Sequence, residues 1–249
     1  MKIRVEKQIG AQVLSFETGQ LAKQASGCVI AQYGDTVVLA AAATGPSRPG
    51  TDFFPLTCDY RERMAAAGKF PGGFLKREGR PTMKETLTSR LIDRPIRPLF
   101  PKGFNDEVQI QSIVLSSDLQ NDGDILAMNA SAAALSISSL PFQGPIASVR
   151  VAKVDGVLIP FPTSDQLDES ELDLIVSASE KSILMIEGFA QEMPENEMAE
   201  AIVFAHGVIR DIIGLMHQLV QRVQPQKLHF EYAGDNGLGE RLRNTYYDR

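Results

Sequence analysis

A chain of 249 residues, 43% apolar and 22% charged with a net charge of −6, is long enough for one large domain or two small ones with an ample core. Two cysteines, three histidines and no tryptophan exclude a disulfide framework and leave few candidates for a metal site. No apolar run approaches the ~18 residues of a membrane span, and the charged, alternating start does not read as a secretory leader, so a reduced, cytoplasmic protein with no membrane contact is expected.

Ile3 to Glu6 and Val13 to Glu17 alternate apolar and polar residues, which predicts strands, with a turn at Glu17 to Gln20. Cys28 to Tyr33 and Thr36 to Ala43 predict a hairpin closed at Gly34-Asp35. Its second arm is apolar almost throughout, as in a strand covered on both faces. Phe53 to Tyr60 predicts a further strand, with Pro55 marking an edge or bulge. Cys28 and Cys58 fall in these segments and read as buried thiols acting as small hydrophobes.

The stretch Arg61 to Lys102 stands apart. It carries eleven Lys or Arg against four Asp or Glu, so +7 sits inside a chain that is otherwise −13. Residues 65–79 include five glycines or prolines and predict a loop. Thr82 to Ile92 predicts a helix, with Thr82 as cap, Glu85 three residues on, and the prolines at 95, 98 and 101 ending it. Val108 to Leu115 alternates as a strand. Asn121 to Asp124 reads as a turn whose last aspartate caps a helix over Ile125 to Leu140, rich in Ala and Ser and so open to close packing, with a metal pair of Asp122 and Asp124 as the alternative. Ile146 to Val154, Val157 to Pro160, Leu172 to Ser179 and Ser182 to Gly188 predict a four-stranded meander. Glu195 to Gln224 predicts a long helix, its apolar seam running Met198, Ile202, Ala205, Ile209, Ile212, Met216, Leu219 and Val223 before Pro225. From Gln226 the chain turns polar, and its ending at Arg249 reads as a cut inside a longer protein.

A basic island in an acidic protein points to a polyanion, since each neutralised phosphate releases counterions. In the loop, Phe74 sits beside Lys76, Arg77 and Arg80 among flexible glycines. Either a base stacks on Phe74 while the cations meet phosphates, or Phe74 turns into the core of a solvated loop. Arg90, Arg94 and Arg97, spaced four and three apart, share one helix face. They either line a phosphate path or pair with carboxylates, Asp93 among them. His206 and His217 are too far apart on one helix, ~16 Å, to share a metal. The acidic residues Asp165, Asp168, Glu169, Glu171 and Asp173 read as a solvated turn or, alternatively, a metal or acid/base cluster. No catalytic and no metal residue is assigned.

Asp52 to Leu56, the loop Pro71 to Pro81, and Ser89 to Pro101, together with Glu17-Thr18-Gly19 and Pro141 to Ile146, resemble the first ribonuclease PH-type domain of the bacterial polynucleotide phosphorylases. The resemblance covers about residues 1–225 and implies an α+β fold of the ribonuclease PH-like kind (ribosomal protein S5 domain 2-like), mixed sheets packed with helices. It implies a core over 1–143, a second subdomain over 144–225, and the truncated start of a helical linker over 226–249. It implies a nucleotidyltransferase that degrades mRNA from the 3′ end as a phosphorolytic exoribonuclease. It implies that inorganic phosphate releases nucleoside diphosphates, reversibly, in a cytoplasmic homotrimer with RNA threading a central channel. An RNA helicase or an endoribonuclease is the expected companion in a degradation complex. RNA-binding roles then fall on Phe74, Lys76, Arg77, Arg80, Arg90, Arg94 and Arg97, with Leu75 replacing what is often a second aromatic.

The resemblance also places the chemistry elsewhere. The family's second domain holds phosphate with a serine-rich turn, and Mg²⁺ with two acids six positions apart and a lysine two beyond. Here Asp122 and Asp124 stand in the turn. The acidic pattern falls on Leu167, Asp173 and Ile175, which keeps one position of three. Phosphate binding, Mg²⁺ and catalysis are therefore expected in an absent second domain, with this part guiding single-stranded RNA and supporting the trimer. The alternative is a non-catalytic RNA-binding scaffold subunit of an exosome-like ring.

Overall fold

The computed structural model describes residues 2–230 and 237–247. β1 (Ile3–Ile9), β2 (Gln12–Thr18), β3 (Gly27–Tyr33) and β4 (Thr36–Gly45) run antiparallel in chain order. β5 (Leu56–Glu62) leaves this pattern. It lies at the far edge, beyond β6 (Glu107–Ser116) and parallel to it, giving the order β1-β2-β3-β4-β6-β5. Pro55 stands immediately before the edge strand, where its missing N–H interrupts no ladder. β4 is not covered equally on both faces: its first seven positions alternate between fully and half buried. The small side chains Ala40 and Ala42 form part of the covered face.

α1 (Met83–Ile96) connects the basic loop to the prolines. The Thr82 hydroxyl accepts from the Glu85 N–H at 3.1 Å, and the Glu85 carboxylate accepts from the Thr82 N–H at 2.6 Å. Pro95 does not end the helix. It lies inside the last turn, one residue from the end, and a short 3₁₀ turn over Arg97–Leu99 follows. Beyond it, Phe54, Phe100, Phe104, Phe142 and Phe230 pack ring on ring, with centroids 4.6–5.7 Å apart.

α2 (Gly123–Ile137) is the centre of the molecule, and all fifteen of its residues are buried. It packs on β3, β4 and β6 of the first sheet and on β7 (Ala147–Val154) of the second. Its alanines allow close approach: a Cβ built on Gly27 of β3 would lie 2.2 Å from the Ala134 carbonyl oxygen. The Asn129 side chain bonds both the N–H and the C=O of Ser148, at 2.9 and 2.8 Å, and so ties the helix to the second sheet.

The second sheet is not a meander. β8 (Val157–Pro160), β9 (Leu172–Ala178) and β10 (Ile183–Ala190) join β7 in the order β10-β9-β7-β8, every pair antiparallel. β8 and β9 both run against β7, so they point the same way and cannot form a hairpin. Residues 161–171, including α3 (Ser164–Asp168), make the crossover. α4 (Glu195–Val223) buries Ala205, Ile209, Ile212, Met216 and Leu219 of the expected seam, and half-buries Met198, Ile202 and Val223. The chain then returns to the C-terminal end of α2, where the Leu228 N–H bonds Ser139 O at 2.7 Å. α5 (Leu238–Tyr246) falls in the expected linker region, of which residues 231–236, 248 and 249 lie outside the described residues.

Candidate nucleic-acid interface

The basic loop is held at both ends and also near its start, where a 3₁₀ turn over Met64–Ala67 is tied down by the Ser117 N–H bonding Ala66 O at 3.0 Å. On one side the Glu78 carboxylate accepts from the Met64 N–H at 2.8 Å and from Arg63 at 3.2 Å. On the other, Glu85 caps α1 and also accepts from the Glu62 N–H at the end of β5, at 3.0 Å. Between these anchors the chain projects into solvent. Phe74 is 99% exposed, which excludes a place in the core, and Leu75 is 77% exposed. Gly73 and Lys76 both take positive φ, +75° and +49°. Glycine does so without strain, whereas a lysine there costs on the order of 1 kcal/mol.

Ion pairing divides the cations of the island into two groups. Each of its four acids takes a cation of the same stretch: Glu62 with Lys84 at 3.0 Å, Glu78 with Arg63 at 3.2 Å, Glu85 with Arg61 at 3.7 Å, and Asp93 with Arg97 at 2.7 Å. Glu187 of β10 takes Arg94 at 3.4 Å. Lys69, Lys76, Arg77, Arg80 and Arg90 have no carboxylate within 4.0 Å among the described residues. These five are the charge available to a polyanion.

Arg90 and Arg94 of α1 and Arg97 just beyond its end share one cleft of about 1040 Å³, lined also by Leu87, Leu91 and Pro98. They are not equivalent. Arg97 is bidentate to Asp93 and donates to the carbonyls of Phe54 and Leu56 at 3.0 and 3.2 Å, which locks the end of α1 to the edge strand. Arg94 holds β10. Arg90 is exposed and also lines a neighbouring cleft of about 550 Å³ with Arg61, Arg63 and Tyr60. Of the two readings of this face, pairing with carboxylates describes Arg94 and Arg97, and Arg90 meets no carboxylate among the described residues. Asp93, one residue before Arg94, reaches the next turn, and Glu187 comes from a strand ninety residues away.

The start of α2 is occupied by the chain's own carboxylates. The helix begins two residues earlier than expected, with Asp122 at the cap position and no side-chain cap bond. Asp122 instead bridges Lys84 at 2.8 Å and Arg150 at 2.9 Å. Asp124, buried in the first turn, meets Arg150 at 3.1 Å. Asp173 of β9 completes the ring around Arg150 at 3.0 Å, though poor alignment leaves Arg150 Nε and Asp173 Oδ1 without a hydrogen bond to each other. Lys84 carries the chain of contacts to Glu62, which accepts from the Tyr60 hydroxyl at 2.5 Å. Burial pushes the Asp122 carboxyl up, but the bonds and charges of Lys84 and Arg150 outweigh it and hold it low. For Asp124 burial prevails over Arg150, and Asp122 adds to it, so its pKa is raised. Two negative groups already sit at the positive end of this helix, where an added anion would meet repulsion.

The remaining candidates have structural occupations. His206 Nε2 lies 3.0 Å from Ser179 O in the β9–β10 turn. Burial raises the thiol pKa of both Cys28 and Cys58. Thr163 caps α3 through a capping box with Gln166, which makes the acidic segment a capped turn with Asp165 in its first turn. Among the described residues no group of three His, Cys, Asp or Glu could hold a metal, and no helix is long and apolar enough to cross a membrane. One feature escaped the sequence reading: Phe70, 91% exposed in the same loop as Phe74. The signal was its place between Lys69 and Pro71-Gly72-Gly73.

Comparison with known proteins gives a consistent answer. Residues 11–141 match the 3′ exoribonuclease family, domain 1, and residues 144–208 match the same family's domain 2. The chain is 64% identical over 246 residues to a polyribonucleotide nucleotidyltransferase of Rhodopirellula baltica, covering 99% of this chain and 33% of that protein. It is 48% identical over 249 residues to one of Heliobacterium modesticaldum, covering 96% and 35%. The chain thus spans about a third of the length of the curated relatives it matches. Among solved structures, rice Rrp46 aligns with a TM-score of 0.67 at 16% identity over 86% of this chain and 96% of that one. The Archaeoglobus fulgidus exosome with RNA bound to the active site aligns at 0.62 and 14% identity, over 85% and 86%. The family matches together with these two likenesses establish the ribonuclease PH-like α+β fold.

Proposed function

We propose, from the premise that the chain belongs to the 3′ exoribonuclease family, that it is the RNA-guiding part of a phosphorolytic 3′-to-5′ exoribonuclease acting in mRNA degradation. In the full protein, inorganic phosphate attacks the terminal phosphodiester, the 3′ oxygen leaves with the shortened RNA, and a nucleoside diphosphate is released, reversibly. The observation that carries this reading is the loop with an exposed Phe74 and the cations Lys69, Lys76, Arg77 and Arg80, which meet no carboxylate among the described residues, beside Arg90 on α1. Single-stranded RNA needs both features, since aromatic faces stack bases and cations follow the backbone.

Phosphate activation and Mg²⁺ belong, in this reading, to the part of the protein beyond this chain. The residues present do not fit the metal: Asp122, Asp124 and Asp173 converge on the Arg150 guanidinium, which already stands where a cation would. Residues 1–143 and 144–225 form the two halves of one ribonuclease PH-like unit, and 226–249 begin the helical linker. The full protein works in the cytoplasm as a homotrimer, with a helicase or an endoribonuclease as companion. Arg77 and Arg80 contact phosphates, while Arg94 and Arg97 shape the cleft beside Arg90.

Poly(A) phosphorolysis tests the division. With phosphate and Mg²⁺, the full protein is expected to release ADP and residues 1–249 alone to release none. ADP from this chain at the full protein's rate would overturn the division. A full protein that binds RNA without phosphorolysis would favour the scaffold reading.

A further inference from the structure

Two aromatic rings stand off the basic loop. Phe74 at 99% and Phe70 at 91% are the most exposed large apolar side chains among the described residues. Among the described residues neither ring packs on another aromatic or joins the hydrophobic core. Each has its own free cation: Lys69 adjoins Phe70, and Lys76 and Arg77 follow Phe74. The loop therefore repeats one unit, a phenyl ring beside unpaired positive charge, joined by Pro71-Gly72-Gly73. A Cβ added at Gly72 or Gly73 would meet nothing within 4 Å, so packing does not fix the joint between the two units. Leu75, although 77% exposed, offers no π face.

We propose that Phe70 is a second base-stacking platform, so that the loop grips single-stranded RNA at two bases rather than one. The inference rests on the reading that this loop binds RNA. A protein partner for the two rings is disfavoured by their surroundings, because the exposed neighbours Lys69, Lys76, Arg77 and Arg80 would be desolvated without a counter-charge. A polyanion supplies that counter-charge. Three residues lie between the two phenylalanines, so four backbone steps span at most about 14 Å between their Cα atoms. At ~3.4 Å per stacked step along a strand, the two platforms can hold bases up to about four nucleotides apart. The Leu at position 75 then leaves the loop with two platforms.

The test uses the full protein and a labelled oligo(A) strand, with a matched set of strands each carrying one abasic nucleotide. Phe70→Ala is expected to weaken binding about 5- to 150-fold, the range of one stacked base. The salt dependence should stay unchanged, and Phe70→Tyr should restore affinity. An abasic nucleotide at the Phe70 position should weaken the parent protein and leave Phe70→Ala no weaker, and Phe74→Ala should couple to a different position. Parent-like binding by Phe70→Ala, with loss in Phe74→Ala and in Arg77→Ala/Arg80→Ala, would overturn the proposal and leave the RNA-loop reading standing. Parent-like binding by all of these variants would overturn that reading itself. A loss in Phe70→Ala that is equal on every strand would mean that Phe70 supports the loop or a protein contact, which also overturns the proposal.

Discussion

Arg97 commits its guanidinium to Asp93 and to two carbonyls of the chain entering the edge strand. Arg90, seven residues earlier on α1, meets no carboxylate among the described residues. The same side chain is thus a clamp at one position and free charge at the other. Arg97→Ala should destabilise the protein by about 1–3 kcal/mol, because it removes a charge-assisted pair and leaves carbonyls short of a donor. Arg90→Ala should stay within about 0.5 kcal/mol of the parent in urea unfolding, as surface changes do, while weakening RNA binding. Equal stability losses in the two variants would contradict the distinction. The helical spacing of these arginines was visible in the sequence. Their pairing was not, since Glu187 comes from β10 and the Phe54 and Leu56 carbonyls lie on the far side of the loop.

At the level of elements, local signals read best. The capping box of Thr82 and Glu85, the hairpin at Gly34-Asp35 and the α4 seam all depend on residues within a turn or two of one another, and the structure contains each. Nonlocal choices were not legible. The order β10-β9-β7-β8 depends on which strand a crossover reaches, and the occupied start of α2 depends on Arg150 arriving from β7. Gly27 is a similar case: its meaning lies in the Ala134 carbonyl of a helix a hundred residues on. Gly27→Ala should cost about 1–3 kcal/mol or more, because backbone cannot yield as a side-chain tip would. A melting temperature equal to the parent's would show that β3 and α2 have slack between them.

Across the whole molecule, the charge distribution separates an outward basic island from carboxylates at the start of α2. The outward loop and α1 carry the five cations that meet no carboxylate among the described residues, while the carboxylates at the start of α2 pair with Arg150 and Lys84. The RNA path is therefore expected over the island and not at the centre of this fold. The most direct measurement is the salt dependence of single-stranded poly(A) binding by the full protein and by its Arg77→Ala/Arg80→Ala variant. On single strands each lost phosphate contact should flatten the slope of log K against log salt by about 0.7, so the variant should bind more weakly with a slope flatter by about 1.4. A variant with the parent's affinity and slope would show that these side chains do not meet RNA, and the account of this loop would fail.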